Sequence, residues 1–260
     1  MFKKMIDAHI HLDDYNNHEQ VLILDDLKKD HIDSLISVSK NLHSAKQVQK
    51  LARKFEAIKP AYGFHPEQIY PKETELIALT QFMEEHANEM VAIGEVGLPF
   101  YLKQEDPSVK IEAYIELLEY FIKLAKKYEK PVILHAVYED AQIACDLLEK
   151  HSIKQAHFHW FKGDNKTIER LIANEYHISV TPDICYKLKT RKLVESYPLQ
   201  LMMVETDGPW TFSGPFKNQM THPKMMHMSI RKIAKVKNLP VEEVYQFIFN
   251  TTKDFFLRDP

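Results

Sequence analysis

Met5-Ile6-Asp7-Ala8-His9-Ile10-His11 decides how this chain is read. An apolar start followed by alternating polar and apolar residues describes a short β-strand, on which Asp7, His9 and His11 project to one side. Two imidazoles on one face at a strand end can grip a single divalent cation, because neutral imidazole is a common ligand for such ions. A His-x-His pair alone carries little weight, since such spacings also arise by accident. The weight comes from the rest of the chain.

The pattern repeats outward from this strand. Short apolar runs at 34–38, 60–64, 90–94, 131–134, 155–158, 177–180 and 201–204 read as seven further strands. Amphipathic stretches at 21–30, 45–55, 73–85, 109–128, 141–149, 165–174 and 188–196 separate them as helices, and two more at 225–236 and 241–256 close the chain. In the longest, Ile111, Tyr114, Ile115, Leu118, Phe121, Ile122 and Ala125 trace an apolar stripe. This alternation predicts an α/β chain folded as a (β/α)8 TIM barrel. No Gly/Ser-rich linker or low-complexity tract interrupts it, so residues 1–260 are expected to form a single domain. Periodicity alone leaves a doubly wound open sheet as the rival. The polar residues separate the two. His9, His11, His65, Glu95, His135, His159 and Asp207 all stand at or just past the C-terminal ends of the expected strands. A barrel gathers those ends on the face where catalytic groups of this fold sit, whereas an open sheet keeps its first and eighth strands apart.

Bulk composition excludes several function classes. With 45% hydrophobic and 27% charged residues, the chain can bury a sizeable core. A net charge of -3 advertises neither duplex DNA nor an anionic membrane as partner, so a nucleic-acid substrate would rely on local basic groups or bound metal. Cys145 and Cys185 are too few for a disulfide framework, form no Cys-x-x-Cys pair and fit a reducing compartment. Met1-Phe2-Lys3-Lys4 leads straight into the first strand without a signal-peptide core, and no stretch is apolar for long enough to span a bilayer. A cytoplasmic enzyme with no obligate protein partner is the expectation.

The polar residues on the rim match the needs of a two-metal hydrolase: two cations about 3.5–4 Å apart, a bridging carboxylate, and further His or Asp ligands. His9 and His11 are expected to hold one metal and His135 and His159 the other, with Glu95 bridging and Asp207 completing the first or binding the attacking water. Individually each has a bland reading: Glu95 as a turn cap, His135 as a core histidine, Asp207 as a turn residue before Gly208-Pro209. One shared cause explains them together. Asp207 and Glu95 are the catalytic candidates, Asp207 accepting the proton of the attacking water. Four imidazoles and two carboxylates suit Zn²⁺ or Mn²⁺ better than an all-oxygen Mg²⁺ site, although Mg²⁺ can arrive with substrate.

Six motifs in order carry a resemblance: Asp7-Ala8-His9-Ile10-His11, Gly63-Phe64-His65-Pro66, Ile93-Gly94-Glu95-Val96-Gly97-Leu98, Pro131-Val132-Ile133-Leu134-His135, His159-Trp160-Phe161-Lys162-Gly163 and Glu205-Thr206-Asp207-Gly208-Pro209. Their succession resembles the TatD family of metal-dependent hydrolases, amidohydrolase-like barrels that include deoxyribonucleases, from Asp7 to the stretch around Asn250 and Phe255. The resemblance implies that His9, His11, Glu95, His135, His159 and Asp207 are the metal ligands, with Glu95 shared. Three departures leave the ligands intact and bear on the substrate. Pro99 replaces the aspartate common after the glutamate, Glu67 stands where a second histidine often follows the Gly-x-His-Pro motif, and an extended loop runs from Pro209 to Phe216.

Other residues carry open readings. His65 either contacts substrate or serves structure, and His157 either packs inside the barrel or orients a ligand. Trp210, Phe212 and Phe216 either stack on bases or pack as a hydrophobic lid, with Trp210 the substrate-binding candidate. Lys187, Lys189, Arg191 and Lys192 form a basic run that could meet a phosphate backbone, although such runs are usually a solvated helix face. Glu205 is expected to support the site. The leading expectation is a deoxyribonuclease acting at single-stranded DNA ends, substrate by resemblance and chemistry by ligand set. The alternative is a dinuclear hydrolase of a small phosphoester, amide or ester. A non-catalytic, metal- or protein-binding barrel would have lost ligands, and none is missing.

Overall fold

β-Branched and long apolar residues in short runs with no exposed face form the strands. They are β1 (Met5–Ile10), β2 (Ile32–Val38), β3 (Ile58–Tyr62), β4 (Ala92–Gly97), β5 (Val132–His135), β6 (Ala156–Phe158), β7 (His177–Val180) and β8 (Met202–Val204). The structure is a computed structural model and describes residues 3–257, so Met1, Phe2, Arg258, Asp259 and Pro260 lie outside it. All eight strands join one sheet in the order β1 to β8, every neighbouring pair parallel. Helices α1 (Asn17–Asp26), α2 (Leu42–Lys54), α3 (Glu73–Glu85), α4 (Phe100–Glu105), α5 (Ile111–Tyr128), α6 (Asp140–Lys150), α7 (Asn165–Ala173), α8 (Leu188–Ser196), α9 (Met226–Lys237) and α10 (Val241–Phe256) cover the outside. This is the expected (β/α)8 TIM barrel. Among the described residues no helix is long and apolar enough to cross a membrane.

Two apolar layers hold it together. Leu35, Ile93, Leu134 and Val204 pack outward against helical residues such as Val48, Leu118 and Phe121. Ile6, Ile36, Val38, Ile133 and Met203 form the inner layer with Phe255 and Phe256 of α10. Phe255 lies 4.6 Å from the ring of His177, the first residue of β7, so α10 plugs the end of the barrel opposite the rim. Of the apolar stripe expected on α5, Tyr114, Leu118, Phe121, Ile122 and Ala125 are buried and Ile111 and Ile115 half-buried, while Leu117 joins the buried face.

Local chemistry moves some boundaries. α1 begins earlier than its apolar spacing indicates, because Asn16 accepts from the amides of His18 and Glu19 while Glu19 reaches back to the Asn16 amide. α4 was not expected at all, and its six residues are too short to show a helical period.

β1 and β8 close the barrel just beyond the end of β8. The Asp207 amide donates to the His9 carbonyl at 2.9 Å, and the His11 amide donates to the Gly208 carbonyl at 2.8 Å. Asp7 completes the seam. Its buried carboxylate accepts the Thr206 amide at 2.9 Å and the Thr206 hydroxyl at 2.5 Å. A register irregularity between Asp7 and Ile10 breaks the simple alternation expected of β1, so Asp7 turns to the seam while His9 and His11 turn to the rim. Removing the carboxylate leaves the buried Thr206 groups unpaired. In urea unfolding, Asp7→Ala is expected to cost about 2–4 kcal/mol and Asp7→Asn, which keeps an acceptor, less than half of that. Equal stability of all three proteins would contradict the seam.

Candidate metal centre

Glu95 lies in the middle of the rim, with no exposure to water. It sits within β4 between glycines because β4 and β5 press together there: a side chain at Gly97 would come within 1.9 Å of the His135 carbonyl oxygen. Each carboxylate oxygen of Glu95 faces its own pair of imidazoles. Oε2 is 3.1 Å from His9 Nε2 and 3.2 Å from His11 Nε2. Oε1 is 2.7 Å from His159 Nε2 and 2.8 Å from His135 Nδ1. Asp207 joins the first pair, its Oδ1 lying 3.5 Å from His9 Nε2 and 3.7 Å from His11 Nε2. The rings of His9 and His159 stack at 3.9 Å and tie the two halves together. Strands β1, β4, β5 and β6 and the segment after β8 thus bring all six expected ligands together.

Burying a carboxylate among imidazoles couples their protonation. Burial works against charge on His159, but Glu95 and Glu205 outweigh it and hold its pKa well above the ordinary imidazole value. Burial likewise opposes charge on His135 and His11; Glu67 and Glu95 raise the first, Glu95 and Asp207 the second. His9, buried and facing the charge on His159, is held well below. Burial pushes the Asp207 carboxyl up to about 6.

The donor set fits divalent metal. His9 Nε2 and Glu95 Oε2 are buried without a hydrogen-bond partner, although they lie side by side. Unpaired buried polar atoms of this kind are costly, and a cation between them satisfies both. Hydrogen bonds sort the imidazoles further. His65 Nδ1 accepts the Glu67 amide at 3.1 Å, which leaves the proton on Nε2, 3.4 Å from Glu95 Oε1. His65 is thus a donor toward Glu95 and not a metal ligand in this arrangement. His135 is the reverse case. Its Nε2 faces Glu67 Oε1 at 3.0 Å, so the ring can donate there and keep the Nδ1 lone pair for a cation.

Glu67 is the residue whose role was not read from the sequence. Beyond facing His135, its carboxylate accepts the Tyr101 amide at 2.9 Å and the Leu102 amide at 2.6 Å, anchoring the first turn of α4. Its signal was the departure from the family pattern after His65-Pro66. Glu205 behaves as the expected support. It accepts the Trp160 amide at 2.7 Å and the Ser179 hydroxyl at 2.6 Å, and stands 3.6 Å from His159 Nδ1. His157 is buried against Ser179 Oγ at 2.7 Å, which favours the packing reading.

The loop after β8 divides. Phe212 and Phe216 are buried with Met225, whereas Trp210 is 59% exposed with its ring 5.5 Å from Trp160. The basic run divides too: Arg191 donates to the Ile184 and Cys185 carbonyls, Lys187 pairs with Asp183 at 3.1 Å, and Lys189 and Lys192 face solvent.

The whole chain has relatives. Residues 6–257 match the family described as TatD related DNase. A metal-dependent hydrolase of Haemophilus influenzae is 39% identical over 97% of this chain and 99% of its own length. The human protein named deoxyribonuclease TATDN3 is 27% identical over 93% of this chain and 90% of its own. Among solved structures, the TatD homologue YjjV of Escherichia coli superposes with a TM-score of 0.89 at 26% identity, covering 100% of both chains.

If Glu67 orients His135, Glu67→Gln will weaken divalent-cation binding about 10-fold in competition with a chromophoric chelator, since removing such a partner costs metal sites 10- to 100-fold. An unchanged affinity would show that His135 needs no such partner.

Proposed function

This chain belongs to the TatD-related DNase family of metal-dependent hydrolases, and from that premise we propose that it is a deoxyribonuclease hydrolysing phosphodiesters at single-stranded DNA ends. The observation that carries the reading is Glu95, whose two oxygens each face a separate pair of imidazoles. We assign His9, His11, Asp207 and Glu95 Oε2 to one divalent cation, and His135, His159 and Glu95 Oε1 to a second, of zinc, manganese or magnesium. When bound, such a pair polarises water and offsets the negative charge that develops on a phosphoryl group.

The chain's own residues supply the rest. Asp207, with its carboxyl pushed up to about 6, is ionised at neutral pH yet basic enough to accept the proton of an attacking water. It reaches the rim from a backbone position of positive φ (49°), fixed by the amide bond to His9 and by the Trp210 amide donating to its carbonyl at 3.0 Å. His65, its Nε2 3.4 Å from Glu95 Oε1 and its side chain partly exposed, is our other candidate for contact with substrate. Trp210, exposed beside Trp160, offers a face on which a base can stack.

The test is degradation of end-labelled single-stranded DNA with Mn²⁺, Zn²⁺ or Mg²⁺, comparing the wild type with Asp207→Asn. Stepwise shortening by the wild type, slowed at least 100-fold in the variant, is the expected outcome. Equal rates, or none on DNA beside rapid hydrolysis of a small phosphoester, would replace the nuclease reading with the small-ester one.

A further inference from the structure

A cleft of about 510 Å³ opens beside the metal face and runs down the outside of the barrel between α7 and α8. Lys162 and Lys187 stand at its mouth, and Lys189, Lys192 and Thr190 line it along α8. Two features set it apart from an ordinary solvated helix face.

The first is Lys162. Its ammonium lies 4.2 Å from the centre of the Trp160 ring and 5.6 Å from that of Tyr101, and donates to the Tyr101 hydroxyl at 3.1 Å. Among the described residues no carboxylate lies within ion-pair distance of it. A half-buried ammonium held by two rings and one phenol hydroxyl has no carboxylate to balance it and can receive an anion. The second is Asp183, the carboxylate lining the cleft. It is already occupied, accepting Trp160 Nε1 at 3.0 Å, the Thr190 hydroxyl at 2.9 Å and Lys187 at 3.1 Å. Asp183 therefore fixes the Trp160 indole and balances Lys187, leaving Lys162, Lys189 and Lys192 uncompensated. Lys189 and Lys192 are three residues apart on α8 and so share one face of the helix.

The cleft is continuous with the chemistry. Trp160 directly follows the candidate ligand His159, and the Tyr101 ring lies 6.2 Å from that of His135. An anion at Lys162 would thus sit next to the group being hydrolysed.

We propose that this cleft carries the phosphate backbone of the retained part of a single-stranded polynucleotide, with Lys162 taking the phosphate adjacent to the scissile one and Lys189 and Lys192 taking later ones. The assignment rests on the nuclease reading and adds to it a direction of exit for the strand and a dependence on its length. A mononucleotide or sugar phosphate would fill only the mouth. A strand of many nucleotides would use the whole track, with a base free to stack on the exposed ring of Tyr138.

The experiment uses metal-loaded protein, a labelled phosphorothioate tetranucleotide and a labelled phosphorothioate 16-mer, with binding followed by fluorescence anisotropy across a salt series. For Lys189→Gln/Lys192→Gln, affinity for the 16-mer should fall about 5- to 10-fold at low salt. The slope of log affinity against log salt should shrink by about 1.4, the value for two lost phosphate contacts on a single strand. Tetranucleotide binding should stay within about twofold, because a short strand fills the mouth at Lys162 without using the track along α8. Lys162→Gln should weaken both lengths. Unchanged 16-mer binding, or equal losses for both lengths in the double variant, would overturn the track. If that happens while the wild type still degrades DNA, the nuclease reading survives and only the cleft's role falls. If the wild type neither binds nor cleaves either oligonucleotide, both fall.

Discussion

A carboxylate that no water reaches keeps its charge only where cations or hydrogen-bond donors within the protein balance it. In this molecule that carboxylate is Glu95, and the rim of the barrel is arranged around it. Strands β1, β5 and β6 deliver imidazoles to its two oxygens, and the segment after β8 brings Asp207 against His9 and His11. The seam between β1 and β8 matters for the same reason. The bond from the Asp207 amide to the His9 carbonyl locks the last expected ligand against the first. An open sheet of the same strands would keep those residues apart, so closure and site are one requirement.

That these candidate ligands gather on one rim was legible in the sequence because strand ends in a barrel converge, and a polar residue ending an apolar run is visible without coordinates. His135 after Val132-Ile133-Leu134 and His159 after His157-Phe158 are of this kind. What was hidden depended on contacts between distant segments. Asp7 resembled a third member of the His9 and His11 face, and only the irregular register of β1 turns it to Thr206. Glu67 looked like a substitution bearing on substrate, yet it bonds both a candidate ligand and the start of α4. No local pattern announces that an acid near residue 67 will meet an imidazole at 135. The contact of Lys162 with Trp160 and Tyr101 was hidden for the same reason, since two segments distant in sequence, the loop after β6 and helix α4, build it.

The basic run shows how a charge pattern divides once folded. Arg191 secures carbonyls of its own loop and Lys187 neutralises Asp183, so both serve structure. The remaining lysines line a cleft. A similar division separates Phe212 and Phe216, which pack, from Trp210, which stays exposed.

The central claim is that Glu95 is shared by two cations. Its most direct test is a crystal of the zinc-loaded protein and an anomalous difference map collected at the zinc edge. The account predicts two peaks, one within bonding distance of each Glu95 oxygen, the first also touching His9 and His11 and the second His135 and His159. A single peak, or two peaks with Glu95 bound to only one, would contradict it.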